Sequence, residues 1–125
     1  MTLQSVLQKR VSECSKGFRQ RIGLACALIH DPPVLLLDEP THGLDPLQVV
    51  AFRDFVRGLA EGRAILFSSH ILAEVAEISD RLLVLQEGRL CLDEGLASLQ
   101  ARAAAEGSTL ETLVLRTVQD ARRTA

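Results

Sequence analysis

The chain has 125 residues, 47% of them apolar and 24% charged, which is the composition of one small globular domain and not of a disordered segment. A net charge of -2 gives no general attraction to nucleic acid or anionic lipid, and the lack of Trp and Tyr argues against a base-stacking surface. The cysteines are odd in number and lack metal-ligand spacing, which favours a reducing compartment. No apolar run approaches the roughly 18 residues of a membrane span, and the segment MTLQSVLQKR lacks the pattern of a secretory signal. We therefore expect any membrane role to come through a partner.

Helical and strand patterns alternate along the chain, after a weak helical stripe in residues 1–13. This alternation is typical of an α/β protein with a parallel sheet. The predicted elements begin with a helix from Ser15 to about His30, a strand over Val34 to Leu37, a helix from Pro46 to near Gly62, a strand over Ala64 to Phe67 and a short helix over Ile71 to Ile78. A hairpin is predicted over Arg81 to Leu92, with its turn at Glu87-Gly88. From Leu96 onward the chain is predicted to be helical, with an interruption at Gly107 and a new start at a capping box over Ser108 to Glu111.

Two acidic residues follow the first predicted strand. Val34 to Leu37 is an apolar run closed on both sides by breakers, so we expect a strand buried on both faces. Asp38 and Glu39 then lie at its carboxyl end, where open α/β sheets place their ligands. Adjacent strand residues point to opposite sides, so one carboxylate can face a cation while the other faces an attacking water. The alternative is that these acids merely end the strand in solvent, and the pair alone favours neither interpretation.

A serine and a glycine open the first predicted helix. Backbone N–H groups and the positive end of the helix dipole at Ser15-Lys16-Gly17 suit a phosphate group. Serine is also an ordinary N-cap residue, and taken alone this second interpretation is favoured.

Together these segments resemble the nucleotide-binding domain of ATP-binding cassette (ABC) ATPases over nearly the whole chain. The segment Cys14 to Arg21 looks like the family signature motif, LLLDEP like the Walker B strand, Thr41 to Pro46 like the D-loop region, and Ser69-His70 like the H-loop. The SKGFRQR version of the signature, followed by ALIHDP, is most similar to cassettes that are paired with multidrug, sodium or gliding-motility exporters.

The resemblance implies a partial P-loop NTPase fold. The sequence contains no G-x-x-x-x-G-K-[ST] loop to wrap the β- and γ-phosphates. We expect residues 1–95 to be the carboxyl-terminal part of an ABC ATPase domain and residues 96–125 a helical extension. Met1 would then be an internal or misassigned start, or belong to a disrupted gene. Without the Walker A strand, which lies between the strands of Ala64 and Arg81 in the family, we expect an exposed apolar layer and an isolated chain that is unstable or aggregates.

The resemblance also assigns roles to three residues near the strand ends. In the family, two cassettes sandwich ATP, and each site combines motifs from both. Asp38 would hold Mg²⁺ through its water shell, Glu39 would polarise the attacking water, and His70 would reach the γ-phosphate. His30 and His42 match no motif and receive no catalytic role.

Four further residues would act across the interface between cassettes. By resemblance, Ser15, Lys16 and Gly17 contact the γ-phosphate bound by the opposite cassette, and Asp45 touches the partner. Lys16 stands where the family usually has glycine, and this departure leaves the phosphate contacts open.

The implied protein is an ATP-hydrolysing subunit of an ABC transporter, most similar to exporters. It would use ATP and Mg²⁺, pair with a second nucleotide-binding domain as a homo- or heterodimer, bind no nucleic acid, and lie on the cytoplasmic face of the membrane against a permease subunit. This chain alone is predicted to be inactive. The alternatives are a non-enzymatic half-cassette that docks on another cassette or on a membrane subunit, and a soluble ABC ATPase of translation or DNA repair. The absence of a coiled-coil or basic segment in the sequence disfavours the last.

Overall fold

The computed structural model describes residues 8–123, and these residues divide into two compact units, one ending at His70 and the other beginning at Ile71. Their elements follow the predicted order: a short 3-10 helix Val11–Glu13, α1 Lys16–Leu28, β1 Val34–Leu37, α2 Pro46–Leu59, β2 Ala64–Phe67, α3 Leu72–Ile78, β3 Arg81–Gln86, β4 Arg89–Gly95, α4 Leu96–Ala105 and α5 Leu110–Arg123. The first part of the predicted helical stripe in residues 1–13 lies outside the described residues, and the remainder holds only the 3-10 helix. None of the described helices is long and apolar enough to cross a bilayer.

The first unit is built on a parallel pair of strands. β1 and β2 pair in register from Val34 opposite Ala64 to Leu37 opposite Phe67. A parallel pair needs a crossover connection, and α2 lies within it. Because the two strands run the same way and end together, the residues that follow Leu37 and Phe67 emerge at one edge of the sheet. This edge carries the candidate site.

Burial of this sheet differs from the prediction. Leu35 is only 3% exposed, whereas Val34 and Leu36 are 56% and 70% exposed, and Leu66 of β2 is 53% exposed. Side chains alternate between the faces of a strand, and the register places Val34, Leu36 and Leu66 on the same face. The prediction of a strand buried on both faces is therefore wrong, because the described elements of this unit cover one face and leave the other open to solvent.

The open face gives a test of how the isolated chain behaves. We expect the chain to self-associate through these apolar side chains, because burying them removes apolar surface from water. Replacing Leu36 and Leu66 together by Gln should raise the monomeric fraction in static light scattering. Leu115→Gln, at a residue of α5 that is 54% exposed, serves as the control. Equal monomeric fractions in the two variants would contradict a role for the sheet face.

The second unit starts from α3 and a β-hairpin. β3 and β4 are antiparallel, and a two-residue turn joins them at Glu87 and Gly88, with φ angles of 50° and 75°. Positive φ at both turn residues is the type I′ geometry that matches the twist of paired strands. The predicted turn is confirmed, and β4 continues three residues beyond the predicted end at Leu92, to Gly95.

α4 and α5 complete this unit by packing on the hairpin. Leu99 of α4 is fully buried, at 0% exposed, in the centre of one apolar cluster. The cluster contains Leu82, Leu92, Leu96, Leu99, Ala103 and Leu113. The expected division of the family domain at residue 95 remains a prediction, although residues on both sides of that position share this core.

The start of α5 corrects the predicted capping box by one residue. Thr109, not Ser108, caps the helix: its Oγ1 accepts a hydrogen bond from the N–H of Thr112 at 3.2 Å. Gly107, with φ of 61°, ends α4, and the N–H of Ser108 bonds the carbonyl of Ala103 at 2.9 Å, as in a Schellman motif. Ser108 therefore belongs to the end of α4, and the cap of α5 moves to the next residue.

Candidate functional site

Asp38 and Ser68 lie side by side where β1 and β2 end. The Ser68 hydroxyl donates to Asp38 Oδ1 at 2.5 Å and accepts from the N–H of Glu39 at 2.8 Å. The N–H of Ser68 also bonds the carbonyl of Leu37 at 2.9 Å, so the serine continues the pairing of the strands by one residue. One hydroxyl thus fixes both the Asp38 carboxylate and the backbone that carries Glu39.

Glu39 and His70 form the second pair at this edge. His70 Nδ1 lies 2.9 Å from Glu39 Oε2 and 3.1 Å from Oε1. The His70 side chain is 64% exposed and the Glu39 side chain 38%, so water reaches both. The two acidic residues have different partners, Ser68 for Asp38 and His70 for Glu39, as expected for side chains that serve different purposes. The roles assigned to them by resemblance remain predictions.

The backbone of Glu39 adopts a conformation that is unusual for a residue with a side chain. Its φ is 44°, in the left-handed region, which costs a non-glycine residue about 1–2 kcal/mol. The N–H of His42 bonds the Glu39 carbonyl at 3.0 Å, which closes a turn from Glu39 to His42. Strained backbone of this kind persists when its surroundings hold it in place, and it is concentrated at functional sites.

The predicted phosphate-facing segment opens α1. Ser15 caps the helix, since its Oγ accepts from the N–H of Phe18 at 3.3 Å, and Ser15 and Lys16 are exposed. Gly17 is buried, and a Cβ added there would lie 3.2 Å from Gln48 Oε1. The ordinary cap interpretation of Ser15 is confirmed by this geometry, and the contacts of all three residues with a phosphate remain predictions.

Two details tie the loop after β1 to the helices on either side of it. A Cβ built on Gly43 would lie 2.8 Å from Lys16 Nζ, so the lysine side chain covers this glycine, whose φ is 78°. Asp45 caps α2: its Oδ1 accepts from the N–H of Gln48 at 2.9 Å, and Gln48 Oε1 accepts from the N–H of Asp45 at 3.2 Å. Asp45 therefore has a structural role within the chain, and its contact with a partner remains a prediction.

A groove of about 460 Å³ borders the same edge, and its lining comes from α1, the end of β1, Asp38 and α2. Its polar side chains are those of Gln20, Arg21, Asp38 and Gln48, and the rest of the lining is mostly apolar or glycine.

The Asp38 edge has a donor set suited to Mg²⁺. Asp38 contributes an exposed carboxylate beside the hydroxyl of Ser68, and oxygen donors of this type are what Mg²⁺ prefers. Among residues 8–123 there is no group of three His, Cys, Asp or Glu side chains placed to hold a metal ion. A single carboxylate fits a Mg²⁺ ion that keeps several waters and leans on phosphate oxygens, and it does not fit a closed protein cage.

Sequence reasoning missed Ser68 and Gln20 as site residues. Ser68 carried a usable signal, because it follows β2 directly as Asp38 follows β1, and in-register parallel strands bring such residues together. Gln20 gave no comparable signal, since its amide bonds the carbonyl of His42 across a separation of 22 residues. The groups that were predicted from the strand ends, Asp38, Glu39 and His70, are brought to one edge.

The resemblance drawn from the sequence motifs implies two acids and a histidine at one strand edge, and Asp38, Glu39 and His70 lie together in this way. A protein-family model described as "AAA domain, putative AbiEii toxin, Type IV TA system" matches residues 10–76. That match covers more than half of the chain, so the chain belongs to this AAA-domain family.

The relatives of the chain are ABC transporter ATP-binding proteins. The chain is 46% identical over 90 residues to the uncharacterized ABC transporter ATP-binding protein YdbJ of Bacillus subtilis, and the alignment covers 70% of this chain and 29% of YdbJ. It is 43% identical over 90 residues to the bacitracin transport ATP-binding protein BcrA of Bacillus licheniformis, and that alignment also covers 70% of this chain and 29% of the relative. The chain thus spans less than a third of the length of these relatives.

A solved structure supports the same fold. An ATP-binding subunit of an ABC transporter superposes with a TM-score of 0.79 at 31% identity, over 93% of this chain and 49% of that one. The predicted α/β fold of the ABC-type P-loop NTPases is therefore confirmed, and so is the resemblance to ABC transporter ATP-binding proteins.

Proposed function

We propose that this chain supplies the signature, Walker B, D-loop and H-loop segments of an ATP-hydrolysing subunit in an ABC exporter. The observation that carries the proposal is the joined pair of contacts at the strand edge, Ser68 with Asp38 and His70 with Glu39. These contacts hold one carboxylate that can bind a cation beside another that can polarise a water molecule. Transfer of a phosphoryl group to water uses both tasks. The transport role of BcrA and the homologous ATP-binding proteins support the exporter assignment.

Each residue at the edge has a defined task in this proposal. The Glu39 carboxylate accepts a hydrogen bond from the attacking water and so polarises it. His70 holds that carboxylate in position through the contact between its Nδ1 and Glu39 Oε2. Asp38 would hold Mg²⁺ through its water shell, while the Ser68 hydroxyl fixes the rotamer of the Asp38 side chain. When bound, Mg²⁺ neutralises charge on the phosphate oxygens.

The start of α1 faces a second cassette in this proposal. The exposed Ser15 and Lys16 and the N–H groups of the first turn approach the γ-phosphate of ATP held by the partner, and Asp45 contacts the partner while it caps α2. Lys16 adds a positive charge where the family usually has glycine. A permease subunit places the assembly on the cytoplasmic face of the membrane, and the chain does not act on nucleic acid.

These 125 residues contain no phosphate-wrapping loop, so we expect the isolated chain to hydrolyse no ATP. In this proposal the phosphate lysine and loop amides are supplied by residues other than these 125. The alternative is a non-enzymatic module that offers its signature helix in trans, and the exposed start of α1 is the observation in its favour.

One purification separates these functions. The full chain carries an affinity tag in its own cells, and the complex is purified in mild detergent and assayed for Mg²⁺-dependent ATP hydrolysis. Hydrolysis that disappears with Glu39→Gln supports the ATPase subunit, since that carboxylate then takes part in the reaction. The same preparation is then mixed with a cassette whose own signature is disabled. If hydrolysis by the complex survives Glu39→Gln and the mixture regains hydrolysis, the result supports the docking module. The absence of hydrolysis in both the complex and the mixture would contradict both functions.

Ser68→Ala tests the hydroxyl at the strand edge. The variant removes the donor to Asp38 and leaves the N–H of Glu39 without its acceptor. A hydrogen bond to a charged group contributes about 1.5–3 kcal/mol, so we expect kcat for ATP hydrolysis by the complex to fall roughly 10- to 100-fold. Ser12→Ala, at an exposed residue of the 3-10 helix, is the matched control. Equal rates for the two variants would show that Ser68 has no part in holding the site.

A further inference from the structure

Gln20 connects α1 to the turn that carries Glu39. It lies in the second turn of the helix and is half-buried. Its Nε2 donates to the carbonyl of His42 at 2.9 Å, across 22 residues of sequence. No catalytic or phosphate-binding role falls to this side chain in the function proposed above. Its hydrogen bond is therefore a feature that the proposed chemistry leaves unexplained.

The peptide groups of His42 are held from two sides. Its N–H bonds the carbonyl of Glu39 at 3.0 Å, and its carbonyl accepts from Gln20 at 2.9 Å. Only the short turn therefore separates the Gln20 amide from the backbone of Glu39. Because Glu39 has a left-handed φ of 44°, the turn needs outside support to keep this conformation. Gln20 is placed to give that support from α1.

Other contacts between α1 and this loop lie farther from Glu39. Lys16 covers Gly43, and Gly17 lies against the side chain of Gln48. These contacts position the later part of the loop, where α2 begins. The Gln20 hydrogen bond, in contrast, reaches the turn itself.

On the basis of the proposed ATPase function, we propose that Gln20 is a positioning residue for hydrolysis. By holding the carbonyl of His42 it fixes the Glu39–His42 turn, and with it the distance between the Glu39 carboxylate and His70. Small displacements of a reacting group lower the rate much more than they lower binding. Loss of the donor should therefore lower kcat and leave KM for ATP nearly unchanged.

Three variants of the full chain, each purified in its complex, test this role. Gln20→Met keeps the length of the side chain and removes the donor, and Gln20→Lys restores a donor. Gln100→Met makes the same change at an exposed residue of α4 and is the control. We expect Gln20→Met to lower kcat about 10-fold with KM within about twofold, Gln20→Lys to recover most of the loss, and the control to match wild type. An unchanged kcat in Gln20→Met, or a loss that Gln20→Lys does not recover, would overturn the proposal.

Amide hydrogen exchange gives a readout that does not depend on activity. In Gln20→Met the amide of His42 should exchange at least several-fold faster than in wild type, because its bond to Glu39 closes the turn that Gln20 supports. If the wild-type complex hydrolyses no ATP, the proposed function fails, and the exchange rate still decides the role of Gln20. Faster exchange then supports a positioned turn, and an unchanged rate overturns it.

Discussion

Glu39→Gln is expected to lower kcat for ATP hydrolysis by the purified complex at least about 100-fold while ATP still binds. The amide keeps the shape of the side chain and its proximity to His70, but it cannot accept a proton from water. A positioned general base contributes about 10²- to 10⁴-fold to such reactions. Steady-state kinetics together with equilibrium binding of a fluorescent ATP analogue would separate the two effects, because the dissociation constant should stay within about threefold.

The control for this experiment is another glutamate outside the site. Glu61 is exposed and follows α2, so Glu61→Gln changes the same charge without touching the strand edge. A loss of similar size in Glu61→Gln would mean that net charge or assembly, and not the Glu39 carboxylate, controls the rate. A full rate in Glu39→Gln would remove Glu39 from the proposed chemistry.

Leu99→Ala is expected to destabilise the second unit by about 2–5 kcal/mol. Leu99 is 0% exposed and lies in the cluster that joins the hairpin to α4 and α5, so truncation leaves a cavity that the neighbours fill only in part. A loss of this size is a large share of the total stability of a small domain, which is about 5–15 kcal/mol. Urea-dependent pulse proteolysis of the chain in its complex measures the change in unfolding free energy.

Leu115 provides the matched comparison for Leu99. It lies on α5 with 54% of its surface exposed, and Leu115→Ala should change the unfolding free energy by less than about 1 kcal/mol. Equal destabilisation in the two variants would contradict the assignment of the core to the inner face of α4.

The sequence alone was enough for features whose cause is local. The turn at Glu87 and Gly88 needs positive φ at two successive residues, and a glycine after an acidic residue between apolar runs signals it. The position of Asp38 and Glu39 at the end of β1 was also predictable, because a short apolar run closed on both sides by breakers favours a strand. The resemblance then linked Asp38 and Glu39 to His70, which the fold brings within 2.9 Å of Glu39.

Features that depend on contacts with a neighbouring element were not predictable in this way. The cap of α5 moved from Ser108 to Thr109 because the end of α4 claims Ser108. Burial of β1 was predicted on both faces. The burial of a strand depends on how many neighbouring elements cover the sheet, and the hydrophobic pattern of the strand does not give that number. The amide of Gln20 is one more case, since nothing in the spacing of α1 indicates its hydrogen bond to His42.

The turn at Gly43 determines what this position can accept, whatever residue stands at position 16. A methyl group on residue 43 would lie 2.8 Å from Lys16 Nζ and 2.9 Å from its Cδ, but these atoms are the far end of a flexible and exposed side chain, which can move away. The backbone φ of 78° offers no such relief, because it disfavours any side chain at residue 43. The departure from the family pattern at Lys16 therefore leaves the requirement for glycine at residue 43 unchanged.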